Sequence, residues 1–271
     1  ILNSEQRQRT TVLKELEEIV EIYGIERKTE IIASEDIPVY EDVPLIDVKD
    51  VPDEPCMITL STSGKVGRAP TEGNRRSTPG QHDVLTASTL STTHGTVFAI
   101  TSEGRALSLK AMELAEVKGR SRGSNADKVF NTGKGEQILT VVSPGEENIV
   151  LITSNGVAKR ISPSELEGTT NGKHVIKLKP NDKLAAAFSC PDGVDIIMVS
   201  SDAQTLRTPV DKISIQGRNA AGVLGMKLRD GVKIVGAGAG LGDGAVVTIT
   251  DIGTAKVTPF EELTPKGRGG S

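Results

Sequence analysis

Aromatic residues are scarce in this chain of 271 residues: they make up 2% of the sequence, and tryptophan is missing. Valine, isoleucine, leucine and alanine must therefore fill the core. Stacking of bases on aromatic rings is excluded as the main way to bind nucleic acid. The sequence also has no secretory leader and no apolar run near the roughly 18 residues of a membrane-spanning helix. We therefore expect a cytoplasmic protein without membrane contact.

Cysteine and histidine are too few and too scattered to predict a metal centre. Cys56 and Cys190 lie far apart in sequence and are expected to be buried thiols in a reducing compartment. The histidines, His82, His94 and His174, have no ligand spacing. No Ser/His/Asp or Cys/His set indicates nucleophilic catalysis. We predict no catalytic residue, no metal site and no cofactor in this chain.

Glycines alternate through residues 236–244, as in some phosphate-binding loops. Such a loop must open a helix whose N-terminus meets the phosphate. Here the run AVVTIT at 245–250 follows, which is typical of a strand. The stretch is therefore predicted to be a glycine-rich β-turn.

Charge is distributed unevenly around the net value of −4. Residues 1–54 carry a balance of −9, whereas residues 55–271 carry +5. The leading segment is acidic and the remainder is mildly basic, which is compatible with a polyanionic partner for the latter part.

Residues 3–23 are predicted to form one helix, because apolar side chains recur at steps of three and four. Asn3 is the expected N-cap. The acidic, proline-containing stretch that follows is predicted to be an extended linker. The helix's apolar stripe is expected to face other protein and consists of Leu13, Leu16, Val20 and Tyr23.

One hairpin motif occurs five times after the linker. Each copy has an apolar run, small hydroxyl residues, a tight turn and a run that brings a lysine or arginine. A repeat with this period, built from hairpins, predicts a propeller-like array. The copies are residues 57–70, 97–110, 150–163, 197–210 and 246–259, with turns centred on Gly64, Gly104, Gly156, Ala203 and Gly253.

A second pair of strands recurs between the hairpins, at 173–188 and 221–237. Together with the hairpin that follows, each pair gives a blade of four strands. We predict an all-β pinwheel of about five four-stranded blades, preceded by one α-helix. The first hairpin has no strands before it, so its closing strands are expected after residue 271.

Basic residues recur in the hairpins and in their connections. Singly, each is explained as a solvated surface charge, but a periodic set along one rim indicates a polyanion, most simply DNA. Contact with phosphates, without reading of sequence, is the expected mode. A propeller scaffold for a protein partner is the alternative. The predicted DNA-binding residues are Arg68, Arg105, Lys159, Arg160, Lys173, Arg207, Arg218, Lys256 and Arg268.

Three segments resemble a known family. VLKELEEIVEIYGIERKTEII at 12–32 resembles the end of the breakage–reunion part of the A subunit of bacterial type IIA topoisomerases. VLITSNGVAKRI at 150–161 and IQGRNAAGVLGMKL at 215–228 resemble blades of that protein's C-terminal β-pinwheel, a disc that bends DNA around its rim. Residues 202–228 are most similar to the topoisomerase IV-like A subunits of actinobacteria. The alternative is the A subunit of DNA gyrase.

The resemblance implies a division into three parts. Residues 1–32 would be the helical end of the breakage–reunion domain, 33–54 an acidic linker, and 55–271 the DNA-binding pinwheel. It also implies partners: duplex DNA, an ATPase B subunit, and a second copy of the same protein, in an A2B2 tetramer of the nucleoid. ATP and Mg²⁺ would bind through the ATPase partner. This chain would guide DNA and would not cleave it.

One motif departs from the gyrase pattern. Gyrase carries a box of the form Q-[RK]-R-G-G-[RK]-G, which is needed to wrap DNA for negative supercoiling. The nearest segments here are 73–80, 118–123 and 265–270, and none is an intact copy. The departure favours relaxation and decatenation over gyrase-type supercoiling.

Overall fold

The computed structural model describes residues 4–25, 51–71, 83–117, 123–145, 147–167, 172–240 and 244–270. The chain divides into two units, Ile1–Val51 and Pro52–Ser271. Most of the predicted linker, at 33–54, lies outside the described residues, as do the box-like segments at 73–80 and 118–123 apart from the last residue of the latter.

Helix α1 (Glu5–Tyr23) is the described element of the first unit, and it confirms the predicted single helix before the β region. Ser4 occupies the N-cap position without a side-chain hydrogen bond, and the predicted cap Asn3 lies outside the described residues. The apolar stripe from Leu13 to Tyr23 is exposed to solvent. Its contact with other protein stays a prediction. No helix in the described part of the chain is long and apolar enough to cross a membrane.

Short strands make up most of the second unit, with one short helix, α2 (Ala126–Phe130). Most of these strands form five hairpins, and each hairpin has one of the predicted turns. The strands are β1 (Pro55–Ser61), β2 (Lys65–Pro70), β3 (Leu85–Thr92), β4 (Thr96–Thr101), β5 (Arg105–Lys110), β6 (Ser124–Asn125), β7 (Ile138–Val142), β8 (Asn148–Thr153), β9 (Val157–Ile161), β10 (Lys173–His174), β11 (Leu184–Cys190), β12 (Asp195–Ser200), β13 (Thr205–Pro209), β14 (Val223–Leu224), β15 (Ile234–Gly240), β16 (Ala245–Ile249) and β17 (Ala255–Pro259).

The turn residues adopt the backbone conformation that the repeat predicts. All five have positive φ, which favours glycine and explains why four of the five are glycine. At Gly156 a Cβ would also lie 2.4 Å from the carbonyl oxygen of Met226, so the approach of a neighbouring segment excludes a side chain there. The φ values are 67° at Gly64, 71° at Gly104, 81° at Gly156, 63° at Ala203 and 84° at Gly253.

The strands form four small antiparallel sheets in a propeller-like arrangement, which confirms the predicted fold class. Blade 1 has the order β3-β1-β2-β6, blade 2 β10-β5-β4-β7, blade 3 β11-β8-β9-β14 and blade 4 β13-β12-β15. The prediction of about five four-stranded blades is wrong. Among the described residues, the fifth hairpin, β16–β17, pairs only with itself, and its side chains are largely exposed.

The blades are interlocked by strands that come from further along the chain. In blade 3, hairpin β8–β9 is flanked by β11 and by β14, and β14 follows the hairpin of blade 4. Each of the first four hairpins therefore pairs with strands that follow it in the chain, and not with strands that precede it as predicted. Likewise β3 and β6 flank the first hairpin, so the expectation that its closing strands lie after residue 271 is wrong.

The core lies between adjacent blades. Strand β4 is buried on both faces: Val97 and Ala99 contact the blade 1 cluster, while Phe98 and Ile100 contact the blade 3 cluster. Side chains alternate across a strand, so a strand with a blade on each side must be apolar at nearly every position. This explains the continuous apolar runs of the hairpins. As expected, aliphatic residues supply most of this core.

The glycine-rich stretch is a strand where the structure describes it. Residues 234–240 form β15, and Ala237 lies opposite Met198 of β12. The predicted turn is therefore wrong over 236–240. The antiparallel ladder to β12 satisfies the backbone groups of the stretch, which carries almost no side chains of its own.

Candidate nucleic-acid interface

The hairpin cations occupy three different positions, counted from the turn residue. Arg68, Arg160 and Arg207 stand fourth after it, Lys159 and Lys256 third, and Arg105 first. Neighbouring positions on a strand point to opposite faces. These side chains therefore do not share one rim, and the predicted single stripe divides into separate environments.

Arg160 joins blade 3 to blade 4 from within the protein. Its side chain is 5% exposed and forms ion pairs with Asp192 and Asp211, the latter at 3.4 Å. Its Nη1 atom also lies 3.4 Å from the carbonyl oxygens of Val210, the first residue of a short 3₁₀ turn of blade 4, and of Ile213, which follows that turn. A guanidinium that is buried and bonded in this way is not available to a phosphate.

Arg207 makes the corresponding contacts one repeat later. Its Nη1 donates to the carbonyl oxygens of Phe260 (2.7 Å) and Leu263 (3.3 Å), and its Nε donates to Asp195 at 2.6 Å. Arg68 is half-buried and donates from Nη1 to the hydroxyl of Thr93 at 3.3 Å. Arg160 and Arg207 thus connect neighbouring blades, which corrects the prediction that these two arginines bind DNA. For Arg68 the contact with DNA stays a prediction.

Lys159 is completely buried, with 0% exposure. Its Nζ donates to three backbone carbonyls, those of Val175 (2.7 Å), Arg218 (3.0 Å) and Ala220 (3.1 Å). Burial lowers the pKa of the Lys159 ammonium to about 8, against the attraction of Glu165. A direct contact between this side chain and DNA is excluded, so the prediction for Lys159 is also wrong.

Arg105 is neutralised by a buried carboxylate. Its Nε donates to one carboxylate oxygen of Glu136 at 2.9 Å, and its Nη2 donates to the other. The amide of Gly133 donates to that second oxygen at 2.8 Å. The hydrogen bond from Arg105 lowers the pKa of Glu136 to about 2, although burial opposes the shift. The Arg105 side chain remains 28% exposed, but its charge is already compensated.

This pair predicts a specific dependence of stability on pH. Because the pKa of Glu136 is lowered in the folded state, its stabilisation is complete above pH 4.5 and is lost as pH falls towards 2. We expect Glu136→Gln to lower the unfolding free energy at pH 7 by about 2 kcal/mol, allowing for the exposure of Arg105. Urea titrations from pH 7 to pH 2 should show this difference vanishing in acid. An exposed control, Glu261→Gln, should show no difference, and a pH-independent effect of Glu136→Gln would contradict the assignment.

Four predicted residues do reach the surface. Lys173, Lys256 and Arg268 are exposed, and Arg218 is about one-third exposed. Arg218 lies 3.5 Å from Glu165, a pair in which both partners contact solvent. Such exposed pairs contribute little stability and leave the cation available. These positions stay candidates for phosphate contact.

Two exposed basic turns were missed by the sequence interpretation. The first basic turn, residues 177–183, reads KLKPNDK, and the second basic turn, residues 227–233, reads KLRDGVK. They recur at a step of 50 residues. The exposed cations are Lys177, Lys179 and Lys183 in the first turn and Lys227, Arg229 and Lys233 in the second.

The basic turns lie between the hairpin tips of successive blades. The amide of Leu184 donates to Ser102 at the tip of blade 2, and the amide of Ser154 in blade 3 donates to Lys183, both at 2.8 Å. One repeat later Ile234 donates to Ser154 (2.9 Å), and Ser201 in blade 4 donates to Lys233 (2.8 Å). The fold therefore places the two basic turns at equivalent blade junctions.

Most cations of the basic turns have no acidic partner. Within the described residues, Lys177, Lys179 and Lys227 form no ion pair, whereas Lys183 lies 2.8 Å from Glu103 and Arg229 lies 3.6 Å from Asp202. Exposed lysines without partners are suited to neutralise the phosphates of a polyanion.

Comparison with known proteins agrees with this architecture, a propeller whose blades exchange strands. Residues 147–191, 195–239 and 245–271 match the family described as the DNA gyrase C-terminal domain, beta-propeller. These three repeats are similar to that family over 117 of the 271 residues. The match confirms the resemblance predicted from the sequence.

The curated relatives are DNA gyrase A subunits. The DNA gyrase A subunit of Staphylococcus epidermidis is 31% identical over 288 residues, covering 100% of this chain and 32% of that protein. The Mycobacterium tuberculosis protein of the same name is 29% identical over 287 residues, covering 100% and 33%. The chain therefore spans about a third of the length of the curated relatives it matches.

Solved structures share the fold. The crystal structure of the C-terminal domain of DNA topoisomerase IV is similar with a TM-score of 0.71 and 21% identity, over 81% of this chain and 72% of that one. The DNA gyrase A C-terminal domain gives a TM-score of 0.57 and 21% identity, over 80% and 75%.

Proposed function

We propose that the second unit binds duplex DNA through its backbone phosphates, without reading sequence, and bends it. The observation that carries this proposal is the pair of exposed basic turns at equivalent blade junctions, within a family of gyrase C-terminal domains. Their lysines offer positive charge without the aromatic rings or fixed forks that base reading requires. The surface cations Lys173, Arg218, Lys256 and Arg268 extend the same role.

The whole protein, in this proposal, is the A subunit of a bacterial type IIA topoisomerase. Residues 1–32 are the end of its breakage–reunion domain, 33–54 a linker and 55–271 the DNA-guiding domain. Two such chains and two ATPase B subunits form the cytoplasmic, nucleoid-associated holoenzyme, whose B subunits hold ATP and Mg²⁺. Support comes from relatives that are DNA gyrase A subunits and match along the full length of this chain.

Relaxation and decatenation are the proposed reactions of that holoenzyme. The segments nearest to the gyrase box, including PKGRGG at 265–270, depart from its pattern. The domain is then expected to guide DNA weakly and with no preferred handedness, and not to wrap it in one sense. A topology assay on the full-length protein with its ATPase partner tests this point. Introduction of negative supercoils would assign the protein to gyrase instead.

Salt dependence tests DNA binding itself. If six to eight exposed cations each neutralise one phosphate, the log–log slope of affinity against salt is expected between about −5 and −7. Two duplexes of equal length and unrelated sequence should give the same affinity and slope, measured by fluorescence anisotropy. Lack of binding at low salt would leave the protein-scaffold alternative, and a strong preference for one duplex would refute phosphate-only contact.

A further inference from the structure

A cleft of about 660 Å³ lies between the first basic turn and the connection that contains Arg218. The wall formed by the turn bears Lys177 and Lys179, next to His174, and the opposite wall bears Arg218 and Asn219. Four of these five side chains end in nitrogen donors that are cationic or can become so. The cleft is therefore lined on both sides by groups that attract an anion.

The acidic residues of the cleft are engaged elsewhere. Glu103 lies 2.8 Å from the Lys183 ammonium. Asp182 is buried and accepts hydrogen bonds from the Ser154 hydroxyl (2.9 Å) and the Asn155 amide (3.1 Å). Neither carboxylate is paired with Lys177 or Lys179, so the cleft keeps a surplus of positive charge.

Lys159 connects the two walls from below. Its ammonium binds the carbonyl of Val175 on the first wall and the carbonyls of Arg218 and Ala220 on the second. The carbonyl of Ala220 also accepts the amide of Lys177 at 3.2 Å. The backbone positions that carry the cationic side chains are thus held together around one buried nitrogen.

The next repeat forms the equivalent backbone contact without a lysine at the corresponding position. Leu206 stands third after its turn residue, as Lys159 does, and is likewise fully buried. The equivalent backbone bond is present there, from Lys227 to Gly270 at 3.2 Å. A buried charge is costly compared with leucine. The equivalent backbone contact thus forms without a lysine, and it does not by itself explain why residue 159 is a lysine.

We infer that this cleft binds a backbone phosphate of duplex DNA, and that Lys159 is a positioning residue that keeps its two walls at the spacing a phosphate needs. The inference rests on the proposed DNA-binding function. Lys177 and Arg218 neutralise the phosphate directly, while Lys159 makes no contact with it. The buried ammonium also adds positive charge beneath the site.

The phosphate contact is tested by Lys177→Ala combined with Arg218→Ala in the whole chain. We expect the salt slope for a duplex to become shallower by about 1.8, two contacts of about 0.9 each. If wild type binds DNA but this variant keeps its slope, the cleft assignment fails while the proposed function stands. If wild type shows no salt-dependent binding, the proposed function fails first.

The positioning role is tested by Lys159→Leu, which copies the residue of the next repeat. We expect the slope to become shallower by about one contact, roughly 0.9, although the side chain never meets DNA. Ile58→Ala, a core substitution in blade 1, is the control, compared at equal fraction folded, and should keep the slope. Lys159→Gln, which retains two donors, should restore part of it.

Three results would overturn the role of Lys159. One is a Lys159→Leu slope equal to that of Ile58→Ala. The second is equal slopes for the leucine and glutamine variants. The third is failure of both variants to fold, which would make Lys159 a residue of stability alone.

Discussion

Arg160→Met is expected to lower the free energy of unfolding by about 2–4 kcal/mol. Methionine fills a similar volume but donates no hydrogen bond. The buried carbonyl of Ile213 would lose its donor, at about 1–3 kcal/mol for an unsatisfied buried group, while the carbonyl of Val210 keeps the Ile213 amide at 2.9 Å and loses only its bond to the charged guanidinium. Asp192 and Asp211 face solvent and would be hydrated instead, which limits the loss. Urea denaturation at pH 7 measures the change.

Two controls separate the buried contact from charge in general. Arg160→Lys keeps the charge but not the planar fork, so an intermediate loss is expected. Arg218→Met removes an arginine that lies near the surface and should change stability by less than about 1 kcal/mol. Wild-type stability of Arg160→Met would refute its role as the link between blades 3 and 4.

This result bears on any test of DNA binding by charge reversal. Placing a carboxylate at Arg160 or Arg207 would leave buried carbonyls facing a negative charge. The blades would separate, and loss of affinity would report unfolding. Only exposed cations, such as those of the basic turns, give an interpretable measurement.

Local patterns predicted the elements well. The apolar runs and turn residues located all five hairpins, because the requirement for positive φ and the alternation of side chains are properties of neighbouring residues. The helix was found for the same reason. The low aromatic content correctly indicated an aliphatic core.

Contacts between blades could not be predicted from one sequence. Strand β11 lies between two hairpins in the chain, and nothing local tells which of them it joins. The carbonyl partners of Arg160 lie about 50 residues further on. From sequence alone, a lysine followed by an arginine in a strand is expected to face solvent. Their burial becomes clear only from the packing of the neighbouring blade. By contrast, the basic turns could have been found by aligning KLKPNDK with KLRDGVK.

Removal of four cations from the basic turns is expected to weaken DNA binding by about 4 × 10³-fold at 0.1 M salt. Each contact adds about 0.9 to the salt slope and therefore nearly a decade of affinity at this salt concentration. The slope itself should become shallower by about 3.6. The variant combines Lys177→Ala, Lys179→Ala, Lys227→Ala and Arg229→Ala. These side chains are exposed, so urea denaturation should show a stability close to that of wild type.

A charge-matched variant decides whether position or net charge is responsible. It removes four exposed cations elsewhere, by Arg7→Ala, Arg9→Ala, Lys14→Ala and Lys212→Ala, and so lowers the net charge equally. Long-range attraction alone would weaken both variants alike, since each makes the chain more acidic by four charges. If DNA contacts the blade junctions instead, the salt slope should become shallower by several units in the basic-turn variant and not in the charge-matched variant. Equal slopes in the two variants would place the DNA on another surface.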